Sequence, residues 1–127
     1  MKILVTGNCG FIGQNFVRKF CGEHEFVGID KFGYASDEKA ASLCQTYRID
    51  MSKNTFHEHF ENIVKENGDF DAIVNFAAES HVDNSINNPH PFIYSNIIGT
   101  FNLLEAARKF QISKFIQIST DEVYGDL

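Results

Sequence analysis

The chain has no tryptophan, only two prolines and three cysteines among its 127 residues. No apolar run approaches the roughly 18 residues that a membrane-spanning helix needs. Cys9, Cys21 and Cys44 are odd in number, widely spaced and without a Cys-x-x-Cys pair, which argues against a disulfide framework and against a zinc site. Reduced, intracellular thiols are the simple reading. Basic charge is also scarce: 11 Lys and Arg stand against 17 Asp and Glu, giving a formal net charge of −6. Without clustered Lys or Arg, neither a nucleic acid nor a membrane surface is an expected partner. There is no Asn-x-Ser/Thr sequon and no signal-like segment ahead of the first strand, so the cytoplasm is the expected compartment. His57 and His59, two apart on a predicted helix, point to nearly opposite sides, and no metal site is expected. Thirteen phenylalanines suit a packed core and carry no functional reading. With 43% hydrophobic and 22% charged residues, the chain reads as one globular domain.

The organising stretch is Lys2-Ile3-Leu4-Val5-Thr6-Gly7-Asn8-Cys9-Gly10-Phe11-Ile12-Gly13. A strand-like run enters three glycines spaced three apart, and a helical pattern follows, with Ile12, Phe16 and Phe20 in one line and Val17 beside them. Glycine serves where the backbone takes positive φ or where a phosphate must come closer than a Cβ allows, and a helix start offers unpaired N–H groups. A pyrophosphate fits that arrangement. The spacing differs by one residue from Gly-x-Gly-x-x-Gly, so a glycine-rich turn in an unrelated α/β protein is the bland alternative. Context favours the dinucleotide: a second strand, Phe26 to Ile29, closes on Asp30, where a carboxylate accepts from both ribose hydroxyls and repels a 2′-phosphate. That favours NAD over NADP.

After Asp30 and Lys31 the periodicity lapses through Ser36, where an adenine could rest, and a short helical patch is expected from Asp37 to Leu43. Thr46 to Ile49 reads as a third strand ending at Asp50, which either accepts from an adenine amino group or caps the next helix. That helix carries Phe56, Phe60, Ile63 and Val64 on one stripe and stops at Asn67-Gly68. Phe70 to Phe76 is a nearly continuous apolar run, as in a strand covered on both faces. It leads into Ala77-Ala78-Glu79-Ser80-His81-Val82-Asp83, either a site segment beside the cofactor or an ordinary polar loop. Pro89 and Pro91 precede a long helix with Ile93, Ile97, Phe101 and Leu104 in one apolar line, widened by Phe92, Ile98, Leu103 and Phe110. Such a helix lies against another domain or forms a subunit interface, and Ile93–Phe110 is the expected homodimer surface. Asn96 and Thr100 interrupt it. A fifth strand, Lys114 to Ile118, delivers Ser119-Thr120-Asp121-Glu122, which is either a proton-transfer set or a helix cap and first turn. The whole predicts an α/β fold, a doubly wound parallel sheet of Rossmann type with five strands and flanking helices.

Taken together, Thr6-Gly7-x-x-Gly10-Phe11-Ile12-Gly13, Asp30-Lys31, Ala77 to Asp83, Asn96-Ile97-Ile98-Gly99-Thr100 and Ser119-Thr120-Asp121-Glu122-Val123-Tyr124-Gly125 resemble the extended short-chain dehydrogenase/reductases. Within them the pattern is similar to the nucleotide-sugar 4,6-dehydratases of the dTDP-glucose 4,6-dehydratase type. The resemblance implies an NAD-dependent lyase acting on dTDP- or UDP-glucose. Carbon 4 is oxidised with NAD as hydride acceptor, water is eliminated across carbons 5 and 6, and the hydride returns to carbon 6. It also implies roles. Gly7, Gly10, Phe11, Ile12 and Gly13 hold the pyrophosphate, Asp30 and Lys31 the adenosine ribose end, and Asp50 and Met51 the adenine. Ala77, Ala78, Ser80 and Ser119 line the rest of the cofactor. Thr120 binds the carbon-4 oxygen, Asp121 protonates the departing hydroxyl and Glu122 takes the carbon-5 proton. Ser80, His81 and Asn96 join Thr120 around the sugar.

One departure stands out. The resemblance implies a Tyr-x-x-x-Lys pair on the helix after the Thr-Asp-Glu strand, a helix expected to lie beyond Leu127, so Tyr124 is not expected to be that Tyr. The expectation is therefore that residues 1–127 are the N-terminal part of the NAD-binding domain of a longer enzyme, without its substrate domain. By itself the chain is expected to lack turnover, to bind NAD weakly at best and to associate through an exposed sheet edge. A non-catalytic NAD-binding module and a nucleotide-sugar epimerase of the same fold are the alternatives, and Asp121-Glu122 argues against both.

Overall fold

The computed structural model describes residues 1–32, 37–76 and 94–118, without the side chains of 94–96. Five strands, β1 (Lys2–Thr6), β2 (Glu25–Asp30), β3 (Gln45–Arg48), β4 (Ala72–Asn75) and β5 (Lys114–Gln117), form one parallel sheet in the order β3-β2-β1-β4-β5. Helices α1 (Phe11–Phe20), α2 (Phe56–Asn67) and α3 (Thr100–Lys109) flank it, with a 3-10 helix at Glu38–Leu43 and a π-helical stretch at Tyr94–Gly99 leading into α3.

Strand alternation divides the core in two. Leu4, Val27, Ile29 and Ile73 point to the side where α2 brings Phe56, Phe60 and Ile63 and α3 brings Leu103, Ala106 and Ala107. Ile3, Val5, Phe26, Ala72 and Val74 point to the other side, against Val17 of α1. Central strands covered on both faces have no use for polar alternation, which is why β1 and β4 read as nearly continuous apolar runs. Chain direction across the sheet reverses at β1: β2 and β3 lie to one side of it, β4 and β5 to the other. The crevice at such a reversal, beyond the carboxyl ends of the strands, is where open α/β sheets take ligands.

The expected elements are found with local shifts. β3 begins and ends one residue early, and β4 is shorter than the apolar run 70–76, because Phe70 is already core and Asp71 is tied to Lys2 by Asp71 N–H to Lys2 O at 2.8 Å. α2 stops as the sequence indicates: Gly68 takes φ 84° and its N–H closes on the Val64 carbonyl. Two helix faces differ from the sequence pattern. α1 is anchored through Gly13 and Val17, while Ile12 is 62% exposed and lines, with Phe16, Phe20, Val74, Phe76 and Ile116, an apolar groove of about 470 Å³. On α3 the buried face is Leu103, Ala106 and Ala107; Phe101 and Leu104, with Ile97 of the π-helical stretch just before it, form an exposed apolar stripe. Among the described residues no helix is long and apolar enough to cross a membrane.

Candidate functional site at the carboxyl edge of the sheet

The turn after β1 is built from its glycines for separate reasons. Gly7 sits at φ 73°, with its N–H donating to Ile29 O of β2 at 2.7 Å. Gly10 N–H closes the turn on Gly7 O at 3.1 Å, and Gln14 N–H donates to Gly10 O at 2.9 Å as the first bond of α1. Gly13 packs against the turn itself: a Cβ there would lie 2.2 Å from Gly7 O. Gly10 has no such neighbour, since a Cβ would meet only Gly7 O at 3.4 Å, an ordinary contact. Its φ of −75° suits any residue. Among the described residues, then, nothing stands in the way of a side chain at Gly10.

α1 starts without a side-chain cap and without an acidic residue in its first turn. Among the described residues no side chain caps its leading N–H groups, and the positive end of its dipole lies beside the exposed Phe11 and Ile12. An anion is the chemical complement of that surface.

Asp30, at the end of β2, is 5% exposed. One carboxylate oxygen accepts the Cys9 amide at 2.9 Å and the other the Phe32 amide at 2.7 Å. The same side chain thus clamps the glycine turn and fixes the exit from β2. Phe32 is held at φ 59°, and its ring receives the Arg48 guanidinium at 4.4 Å; Arg48 in turn pairs with Glu38 at 3.0 Å. The Asp50 Oδ1 accepts from Ser52 N and Ser52 Oγ, at 3.0 and 2.7 Å, in a turn ahead of α2; the N-cap of that helix is Thr55 and not Asp50. Partial burial pushes the Asp50 carboxyl up, but the Ser52 bonds and the charges of Lys31 and Lys53 together hold it below the usual carboxylate range. Met51 packs into the α2 side of the core, and its carbonyl takes the Asn102 amide at 2.8 Å.

Sequence reasoning missed a buried amide network beneath the crevice. Asn75 Oδ1 accepts from Thr6 Oγ1, and Asn75 Nδ2 donates to Gln117 Oε1 at 2.7 Å and reaches Thr100 Oγ1 at 3.4 Å. These bonds stitch β1, β4, β5 and α3 together at the carboxyl edge. The available signal was a polar residue inside the apolar run Ile73-Val74-Asn75-Phe76, since a buried amide has to find partners.

Cys9 is buried, and burial, with the Asp30 charge next to it, pushes its thiol up to about 12. Only a thiolate is nucleophilic, whereas Cys21 is exposed. Alkylation near pH 7.5 is therefore expected to modify Cys21 first and to leave Cys9 unmodified until the fold opens. Peptide mapping over a time course checks this, and labelling of native Cys9 at the rate of Cys21 would contradict it.

Of the remaining expected site residues, Ala77, Ala78, Ser80, His81, Ser119, Thr120, Asp121 and Glu122 lie outside the described residues. Asn96 falls in the π-helical stretch, its side chain not described. β4 and β5, which lead into those segments, end at the same sheet edge as β1.

A parallel sheet that reverses at β1, with a glycine turn feeding a helix start there and a carboxylate ending the neighbouring strand, defines a doubly wound α/β protein of the Rossmann type. Residues 3–127 match the NAD dependent epimerase/dehydratase family, and the chain belongs to it. It is 45% identical, over 131 aligned positions, to dTDP-glucose 4,6-dehydratase of Mycobacterium tuberculosis; the match takes in all of this chain and 38% of that protein. Among solved structures, DesIV, a dTDP-glucose 4,6-dehydratase from Streptomyces venezuelae with NAD bound, superposes with a TM-score of 0.87 at 32% identity, covering 100% of this chain and 42% of DesIV. The UDP-Glc/GlcNAc 4-epimerase of Campylobacter jejuni gives 0.83 at 30% identity, covering 98% of this chain and 38% of the epimerase. The chain thus spans well under half the length of these relatives.

Proposed function

We propose that this chain forms the N-terminal part of the NAD-binding domain of a nucleotide-sugar 4,6-dehydratase that converts dTDP- or UDP-glucose to the 4-keto-6-deoxy sugar. The observation that carries the reading is the turn after β1, where among the described residues a Cβ at Gly10 would meet only Gly7 O, directly before an uncapped helix start. The pyrophosphate of NAD lies at that turn, held by Gly7, Gly10, Phe11, Ile12 and Gly13. The Asp30 carboxylate, which also holds the Cys9 and Phe32 amides, accepts from the adenosine ribose, beside Lys31. Asp50 and Met51 border the adenine, and Ala77, Ala78, Ser80 and Ser119 the rest of the cofactor.

Bound NAD supplies a hydride acceptor that later returns the hydride. The chain's own residues move protons. Thr120 orients the carbon-4 oxygen, Glu122 removes the carbon-5 proton once carbon 4 is a ketone, and Asp121 protonates the departing carbon-6 hydroxyl. Ser80, His81 and Asn96 position the sugar. A Tyr-x-x-x-Lys pair and a substrate domain come from the rest of the enzyme. The exposed Ile97, Phe101 and Leu104 stripe supports a homodimer through Ile93–Phe110, and a cytoplasmic location fits the reading.

The solved epimerase structures of similar fold favour a second reading, epimerisation at carbon 4. Mass spectrometry separates the two, because a dehydratase product has lost one water and an epimerase product has the mass of its substrate. The longest reading frame containing this chain is expected to dehydrate dTDP-glucose or UDP-glucose, with GDP-mannose as control. Glu122→Gln and Asp121→Asn should each slow product formation at least about a hundredfold, the usual contribution of a positioned acid or base. Wild-type dehydration unaffected by either change would defeat the assignment of these two residues.

A further inference from the structure

Asn8 follows the positive-φ glycine, yet its side chain lies on the sheet, 1% exposed, instead of in solvent. It occupies the space over Gly28 of β2, where a Cβ would come within 2.4 Å of the Asn8 Cγ and Nδ2. Gly28 pairs in register with Val5 on one side and Thr46 on the other, so the amide bridges toward β3. Nδ2 donates to Thr46 Oγ1 at 3.0 Å. Thr46 Oγ1 is itself 3.1 Å from the carbonyls of Ala41 and Cys44, which only accept. The hydroxyl proton goes to one of those carbonyls, leaving a lone pair for Asn8. The amide orientation follows from this, and Asn8 Oδ1 is left buried with no hydrogen-bond partner among the described residues.

An unpaired buried acceptor destabilises, and an apolar side chain at position 8 would have avoided it. Stability alone gives no reason for the amide. What the amide does achieve is a link between the glycine turn, β3 and the end of the 3-10 helix. The next residue strengthens that link from its backbone: Cys9 N–H is held by Asp30 and Cys9 O accepts the Asp37 amide at 2.7 Å.

We propose that Asn8 is a positioning residue that, through Thr46, locks the glycine turn to β3 and the 3-10 helix Glu38–Leu43, keeping the two sides of the cofactor's adenosine end in register. The inference rests on the dinucleotide reading for its purpose, but its geometry can be tested apart from that reading. In the longest polypeptide that carries these residues, Asn8→Ala, Thr46→Val and the double variant are compared by hydrogen exchange at the Cys9 and Asp37 amides, by calorimetric NAD titration and by thermal melting. Each single change should speed exchange at both amides about tenfold and weaken NAD binding about fivefold to tenfold, the scale of one hydrogen bond. The double variant should be no worse than either single one, since all three remove the same link. In Asn8→Ala the melting midpoint should hardly move, because the lost bond is offset by removal of the orphaned oxygen. Gly28→Ala should mimic Asn8→Ala in exchange and affinity by expelling the amide. Wild-type exchange in the variants, or an affinity loss that merely follows the melting midpoint, overturns the proposal. If the wild-type protein binds no NAD while exchange responds as described, the lock stands and the cofactor reading fails.

Discussion

Replacing Gly13 by alanine is expected to abolish saturable NAD binding and to destabilise the fold by about 3 kcal/mol, the upper range for forcing extra volume into a packed site. The new methyl would lie 2.2 Å from Gly7 O, 3.0 Å from Gly7 C and 3.1 Å from the Asn8 Cα. All three are backbone atoms, so no rotamer change relieves the clash. The first turn of α1 must lift away from β1, carrying the helix start off the site and loosening Val17, its anchor on the sheet. Gly10→Ala provides the control. Its methyl meets only Gly7 O, at an ordinary 3.4 Å, among the described residues, so melting should change by no more than about 1 kcal/mol, within the ordinary range for a substitution without a clash. NAD affinity should nonetheless fall by at least about tenfold, because the methyl stands where the phosphate must approach. Melting curves and calorimetric titrations of both variants decide the matter. If Gly10→Ala binds NAD like the wild type, the turn does not hold a pyrophosphate in close contact.

The difference between these two glycines also marks how far the sequence could be read. Spacing alone placed the turn, the two flanking elements and Asp30, because runs, breakers and caps are local signals that survive whatever packs around them. It could not say that Gly13 packs tightly on the turn while Gly10 meets only an ordinary contact among the described residues, a distinction that depends on which atoms lie opposite each Cα. The same blindness explains the helix faces. Ile12, Phe16 and Phe20 recur at helical spacing, but so do Gly13 and Val17, and the smaller pair is what lets α1 approach the sheet closely. On α3, Leu103, Ala106 and Ala107 face the core, while Phe101 and Leu104 are left outside with Ile97. A hydrophobic period identifies a helix and its apolar residues without ranking the two apolar sides. Asn8 and Asn75 were harder still, since both are buried amides whose partners are remote in sequence: Thr46 for one, Thr6, Thr100 and Gln117 for the other.

Asp30 holds the turn after β1 and, on the proposed reading, also sets the choice between NAD and NADP; its substitution should separate the two roles. Asp30→Ala removes the acceptors of both the Cys9 and Phe32 amides at a nearly buried position; leaving such donors unpaired costs about 1–3 kcal/mol each. Phe32 would also lose the bond that holds it in the left-handed region, where a non-glycine residue is unfavourable by about 1–2 kcal/mol, and with it the stack under Arg48. A stability loss of about 2–4 kcal/mol and loss of NAD binding beyond about a hundredfold are expected together. Asp30→Asn is the sharper probe. One amide oxygen can still serve one of the two backbone donors, but the NH2 group opposes the other, so affinity for NAD should fall about tenfold with a smaller loss of stability. The charge is gone as well, and with Lys31 following directly and Arg48 paired across the strand end, repulsion of a 2′-phosphate disappears. The ratio of NADP to NAD affinity should therefore rise in Asp30→Asn even as NAD binding weakens. Parallel titrations with both dinucleotides measure that ratio. An unchanged ratio would mean that the Asp30 carboxylate clamps the turn without facing the ribose, and the adenosine end would have to lie elsewhere along the carboxyl edge.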